Sequence, residues 1–401
     1  MKGISSQKPK ISRRAFAAGA VAMPFVLANG RVLAADPIKI GWLPSLTGAL
    51  ATAAIGFDHG VRLAVEETNA AGGIVGRPIE LVSRDTGSDP TKAVNFAQQL
   101  LFSEKVDFVA GPVNSGESLA TVPVIARAGI PNIVTGAVEE LIDPAKFPLA
   151  FRVVNTTSQW ISVANDYTIN TLKKKKIAVL GDTTGYGTSS AKRANDMIRS
   201  AGADVVYTVL IDPNKTDLTD EITKARAAGS EIIMTWTAAS GLAARLLNTR
   251  GDLGWDVPII GHPVLGTPSI QPLLNKPSYW EKTITIGYVS TSYGADGKLP
   301  ERTQKLVDAV RPRLGGGEIQ FNLWWIALGY DIVRVIDHAV RQAKGTTPAD
   351  VKAALDNTKD FPGVFADYTW SATDHNGVPD RSMVANLANS FKDGCFKIAP
   401  R

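Results

Sequence analysis

The chain has 401 residues, of which 44% are hydrophobic and 20% charged, a profile that excludes a disordered or fibrous protein and suggests more than one domain. Its formal charge of +5 is uneven: residues 1–35 hold six basic side chains (Lys2, Lys8, Lys10, Arg13, Arg14, Arg31) and no acid, and taking those six from the 43 basic residues leaves 37 against 38 acids. The body is therefore close to neutral, which removes the electrostatic motive for a nucleic-acid partner.

Residues 2–14 are polar and basic and end in Ser12-Arg13-Arg14-Ala15-Phe16. Ala15–Leu27 is an apolar run too short to span a bilayer comfortably, and Val32-Leu33-Ala34-Ala35 offers small residues to a signal peptidase. The pattern predicts a signal peptide over residues 1–35, a twin-arginine export route and a periplasmic destination. A single cysteine, Cys395, excludes an intrachain disulfide. It is expected half-buried near the end of the last strand.

From residue 36 short β-rich runs alternate with amphipathic helical runs. Strands are predicted over Ile38–Leu43, Ile79–Ser83, Val106–Ala110 and Ile133–Thr135, and helices over Ile55–Ala71, Pro90–Phe102 and Ser115–Ala128. A second series has helices over Ser158–Leu172, Gly187–Ser200, Leu218–Ala228 and Gly241–Thr249. Its strands are Ile177–Leu180, Val205–Leu210, Glu231–Thr235 and Pro258–Gly261. The run Lys173–Lys176 reads as a solvated helix end. In the last third, Thr283–Ser290 is a strand, and Arg302–Val310, Asn322–Lys344 and Pro348–Leu355 are helices. Tyr368–Trp370 and Val384–Ala388 are strands around the turn Asp374-His375-Asn376-Gly377. The order implies an α/β protein of two lobes, each with a parallel central sheet.

Catalytic and metal-binding signatures are missing. His59, His262, His338 and His375 are scattered without ligand spacing, and no Gly-x-Ser-x-Gly elbow occurs. The glycine-rich Gly181–Gly187 segment has neither dinucleotide spacing nor a Walker lysine. Asp85 and Asp89 suit turn and helix-start roles. An enzyme is disfavoured, and no cofactor or metal is expected.

Ligands of open α/β sheets sit at the C-terminal ends of strands. Val106–Ala110 leads into Gly111-Pro112-Val113-Asn114-Ser115, where a helix begins, and Thr135-Gly136-Ala137-Val138 follows the next strand. Helix-start amides and the Ser115 hydroxyl there favour an anion. Across the expected cleft, Tyr186, Thr235, Trp236 and His262 each lie at or beyond a strand end, and Phe321 opens the long helix at the rim. Trp324 and Trp325 read as core.

Asp85-x₃-Asp89-Pro90, Val106–Pro112 with Ser115, Gly129–Ile133, Gly181-Asp182 with Tyr186-Gly187, and Tyr330-Asp331 occur in an order that resembles the branched-chain amino-acid-binding family of periplasmic proteins, over essentially all of residues 37–400. The resemblance implies the type I periplasmic binding fold, two Rossmann-like lobes joined by three crossovers and closing on a ligand like a flytrap. It places one lobe at 37–156 plus 289–362 and the other at 157–288 plus 363–401. It also implies no cofactor, and docking of the closed receptor on the permease of an ABC importer; a monomer is the default expectation. Asn114, Ser115, Gly136, Ala137, Val138 and Tyr186 are the ligand contacts it suggests, with Thr235, Trp236, His262 and Phe321 completing the set.

Two departures narrow the ligand. Amino-acid binders of this family carry a hydroxyl residue where this chain has Val138, and an acid for the ligand ammonium after the strand that here ends Gly261-His262-Pro263-Val264-Leu265. A buried ammonium with no anionic partner is costly. Ala53 stands where the leucine binder has a bulky aromatic. These residues suggest a small hydrophobic or aromatic carboxylate. A branched-chain amino acid, or a ligand-sensing role feeding a signalling receptor, are the alternatives.

Overall fold

The computed structural model describes Gly3 and residues 36–401; the signal peptide expected over residues 1–35 otherwise lies outside the described residues. Asp36–Arg401 forms one compact unit built on two sheets.

The first sheet takes β1 (Ile38–Trp42), β2 (Ile79–Ser83), β3 (Phe108–Ala110), β4 (Asn132–Val134) and β5 (Ala150–Arg152) in the order β2-β1-β3-β4-β5, all parallel. β3, β4 and β5 are buried along their whole lengths, as strands covered on both faces must be. Connecting them are α1 (Ala51–Ala70), α2 (Pro90–Gln98) and α3 (Ser115–Ala128). Local chemistry sets their starts: Asp89 accepts from the amides of Thr91 (2.7 Å) and Lys92 (3.1 Å), and Pro90 opens α2.

The second sheet contains β6 (Lys176–Asp182), β7 (Asp204–Ile211), β8 (Ile232–Trp236), β9 (Ile259–Gly261), β10 (Thr283–Tyr288) and β11 (Ser292–Tyr293), with two late strands added. Its helices are α4 (Thr157–Asp166), α5 (Gly185–Ser200), α6 (Thr219–Ala227) and α7 (Ser240–Asp252). Thr156 and Gln159 form a reciprocal capping box at the start of α4, and Thr184 caps α5 through the Gly187 amide at 3.2 Å. The chain then returns to the first lobe as α8 (Glu301–Val310), α9 (Leu323–Ala343) and α10 (Pro348–Asp356), followed by the hairpin β12 (Phe361–Pro362) and β13 (Asp367–Tyr368). β14 (Met383–Lys392) and β15 (Cys395–Ile398) complete the second sheet, giving the order β11-β15-β14-β10-β9-β8-β6-β7. β14 runs antiparallel to β10, and β15 antiparallel to β14.

Helices α1 and α9 meet through two glycines. A β-carbon on Gly60 would lie 2.0 Å from the Ile326 carbonyl oxygen, and one on Gly329 would lie 2.0 Å from that of Phe57. Only glycine allows this approach, which brings Phe57 and the Trp324-Trp325 pair to the same end of the helix pair.

The structure moves two of the expected lobe boundaries. Ser292 and Tyr293 pair with Phe396 and Lys397, so the second sheet continues past residue 289. Residues 364–377 stay with the first lobe: Asp331 of α9 accepts from the amides of Val364 and Phe365, both at 2.8 Å, and Trp370 Nε1 donates to the Arg152 carbonyl at 3.1 Å. Such short extended segments carry no periodicity that names their partner. The lysine run begins after a helical span that ends at Thr171, and Lys176 already belongs to β6. Cys395 opens β15 and is fully buried rather than half-exposed near the strand's end.

Candidate functional site

A cavity with about 500 Å³ of space free of protein atoms, its mouth included, lies where the two lobes meet. Leu50 just before α1, Ala53 and Phe57 on α1, Val113, Asn114 and Ser115 at the head of α3, Thr135, Ala137, and Trp324 with Trp325 on α9 line it from the first lobe. Trp160 on α4, Tyr186 on α5, Ala238 and His262 line it from the second, and Val154 lies on the chain passing between them. None of these residues is an acid, a lysine or an arginine.

Asn114, rather than Ser115, caps α3. Its Oδ1 accepts from the Glu117 amide at 2.9 Å and its Nδ2 donates to the Glu117 carboxylate. Glu117 is fully buried, and burial pushes its carboxyl up against the opposing hydrogen bonds from Ser45 and Thr86. Asn114 therefore touches the cavity with an amide already engaged at both ends.

Ser115 Oγ accepts from the Ala137 amide at 3.0 Å and the Val138 amide at 3.4 Å. The Thr135–Val138 loop, expected beside the anion, thus turns both of these amides onto Ser115. A hydroxyl has two acceptor sites and one donor proton. With both acceptor sites engaged, the Ser115 proton is what it has left to offer, and Ser115 lines the cavity. Gly136 and Val138 do not reach the lining. A β-carbon on Gly136 would sit 2.4 Å from Leu141 Cδ1, so this turn packs onto the next segment.

The second lobe supplies its side of the cavity from three strand ends. Asp182, at the end of β6, accepts from the Thr184 amide at 3.0 Å and from Thr237 Oγ1 at 2.6 Å. It thereby ties the cap of α5, which carries Tyr186, to the loop that carries Ala238. Burial pushes the Asp182 carboxyl up, opposed by the Thr184 and Thr237 hydrogen bonds. Tyr186 Oη lies near Ser190 but completes no well-formed hydrogen bond, and Trp324 Nε1 has no partner among the described residues.

His262 has a defined tautomer. Its Nδ1 accepts from the Val264 amide at 3.1 Å, so the ring proton sits on Nε2. Burial pushes its pKa down to about 3, so the imidazole is neutral. Aromatic rings pack around it: Trp160 edge-on at 4.9 Å and Tyr186 at 5.2 Å. Trp324 faces Trp160 at 6.4 Å and Phe57 at 5.9 Å.

Five of the ten expected contacts thus meet in one cavity: Asn114, Ser115, Ala137, Tyr186 and His262. Gly136, Val138, Thr235, Trp236 and Phe321 lie outside the lining. The Thr235 carbonyl accepts from the His262 amide at 3.1 Å inside the sheet, and Trp236 is fully buried in the core. The chain reaches the cavity two residues later, at Ala238. Phe321 packs edge-on against His59 at 5.2 Å, away from the lining. Conversely Trp324 and Trp325, expected as core, line the cavity, as do Phe57 and Trp160. Helical spacing marks all four as buried, but a closed cleft and a core impose the same period.

Two sheets of mainly parallel strands, each flanked by helices, closing on a cavity at strand ends and helix starts, define a two-lobed ligand-binding protein of the type I periplasmic binding fold. The chain belongs to the periplasmic binding protein family, whose model matches residues 37–389. An amino acid binding protein of Pseudomonas aeruginosa is 31% identical over 303 residues, 75% of this chain and 79% of that protein. A Leu/Ile/Val-binding protein homologue of Brucella abortus is 25% identical over 90% of this chain and 92% of its own length. The crystal structure of a branched-chain amino acid transporter substrate binding protein from Streptococcus pneumoniae, in complex with isoleucine, superposes with a TM-score of 0.78 at 24% identity, over 91% of this chain and 99% of that one. A type 1 periplasmic binding protein of Bordetella pertussis superposes with a TM-score of 0.80 at 22% identity, over 91% of this chain and all of that one.

Proposed function

We propose that this protein is the non-enzymatic solute receptor of an ABC importer, exported to the periplasm by its twin-arginine leader, and that it captures a small hydrophobic or aromatic carboxylate by closing its lobes. The monomeric closed receptor delivers that ligand to a permease in the inner membrane. One observation carries the ligand assignment: the cavity is walled by aromatic and aliphatic side chains, and the free side-chain groups at Ser115, Trp160, Tyr186, His262 and Trp324 are neutral and each has a proton to donate. Donors suit the oxygens of a carboxylate. With no acid in the lining, an α-ammonium would lose its water for nothing of opposite charge, a cost of several kcal/mol in a buried site.

The names of the relatives favour a second reading, a branched-chain amino acid held through its carboxylate with carbonyls and water around the ammonium. Isothermal titration of the purified protein with benzoate, phenylacetate and leucine separates the two. The carboxylate reading expects at least one of the first two to bind with micromolar Kd, about −8 kcal/mol, and leucine at least 100-fold more weakly. Tight leucine binding with no response to the aromatic acids would overturn it.

A further inference from the structure

Arg152, the last residue of β5, is fully buried, yet no carboxylate lies within ion-pair distance of it among the described residues. Glu139, Glu140 and Asp374 act on it only from further away, and Arg193 already pairs with Glu139 at 2.9 Å and Glu140 at 3.6 Å. Burial pushes the guanidinium down to about 10, which leaves it charged at neutral pH. A buried, unneutralised cation is unfavourable unless something compensates it.

Its hydrogen bonds show where it is directed. Nη1 donates to the Ala137 carbonyl at 2.8 Å and Nη2 donates to the Val138 carbonyl. The Ala137 carbonyl and the Val138 amide are two ends of one peptide group, and that amide donates to Ser115 Oγ at 3.4 Å. The Ala137 amide donates to the same oxygen at 3.0 Å. Charge on one end of a peptide polarises its other end, and hydrogen bonds in series strengthen one another where water is excluded. The chain thus runs from the guanidinium through the Ala137–Val138 peptide to the Ser115 hydroxyl, whose proton remains for the cavity.

We propose that Arg152 is the counter-charge for the ligand's carboxylate, a positioning residue that never touches the ligand and acts through the Ala137–Val138 peptide and Ser115. The inference rests on the reading that the cavity takes a carboxylate. It assigns the charge selectivity of the site to a residue outside the lining.

Calorimetry with two matched probe pairs, benzoate with benzamide and leucine with leucinamide, tests it on wild type, Arg152→Gln and Arg152→Lys, each checked for a cooperative thermal transition. Wild type is expected to prefer the carboxylate of the binding pair at least 30-fold. Arg152→Gln should cut that preference below threefold and leave the carboxamide Kd within twofold of wild type. Arg152→Lys, which keeps the charge but not both carbonyl contacts, should be intermediate. If Arg152→Gln does not fold, the lysine variant decides: an intermediate preference supports the role and an unchanged one overturns it. A preference retained in Arg152→Gln, or equal loss for both members of a pair, overturns the role of Arg152 and leaves the carboxylate reading standing. No preference in wild type for either pair overturns the carboxylate reading itself.

Discussion

Gly116 at the head of α3 and Gly185 at the head of α5 abut across the cleft: a β-carbon on Gly185 would lie 2.9 Å from the Gly116 α-carbon. Gly185 lies outside the positive-φ residues, so a side chain there meets a steric limit and not a backbone one. Nearby, Arg193 of α5 reaches Glu139 and Glu140 of the opposite lobe. These contacts exist only when the lobes are together. Gly185→Val is therefore expected to obstruct closure and leave each lobe intact: at least a tenfold weaker Kd by calorimetry, about 1.4 kcal/mol, with the ligand-free Tm within a few degrees of wild type.

The walls set the size of the ligand. Ala53 lines the cavity on the same helix as Phe57. Ala53→Trp fills space that a ring would occupy, so benzoate or phenylacetate affinity should fall at least tenfold. Because the side chain projects into a cavity, overpacking of the core should be small, and chemical denaturation should show less than about 1 kcal/mol of lost stability.

His262 links the site to pH. Its folded pKa of about 3 lies below the ordinary 6.5, so below pH 6.5 the unfolded chain binds a proton that the folded one refuses. Stability from the neutral imidazole is complete above 6.5 and is lost as the pH falls towards 3. At pH 5 the loss is about 2 kcal/mol. Asp331 acts with the opposite sign, since burial raises its pKa to about 6. That contribution is common to wild type and His262→Gln and cancels in their difference. Unfolding from pH 7.5 to 4.5 should show wild type losing stability relative to His262→Gln; parallel curves would mean the imidazole is charged or solvated.

The helix pair beneath the site tolerates no side chain at its crossing. Gly60→Ala would drive a methyl group to 2.0 Å from a backbone oxygen, and α1 and α9 must separate. A loss of at least about 2 kcal/mol by denaturant unfolding is expected, with affinity falling as Phe57 and Trp324 shift.

The regular elements were legible from period and caps. Ile79–Ser83 and Ser115–Ala128 lie where the spacing puts them, because both are bounded by strong local signals. β5, β11 and the placement of residues 364–377 were not legible: they are short, and partners distant in sequence fix them, β4 for β5, β15 for β11, and Asp331 and Arg152 for residues 364–377. Within the site, strand ends and the helix start pointed to Ser115, Tyr186 and His262. They pointed equally to Trp236, which lies in the core outside the lining, since a strand's last residue faces the core as readily as the cleft. Arg152 was invisible for a different reason, since its position behind the Ala137–Val138 peptide depends on the pairing of β4 with β5.

Leucine and 4-methylpentanoate differ only by the α-ammonium, so the ratio of their Kd values by calorimetry reads the missing acid of the cavity directly. The account predicts that the deaminated acid binds at least tenfold more tightly than leucine. Leucine binding more tightly than 4-methylpentanoate would contradict it.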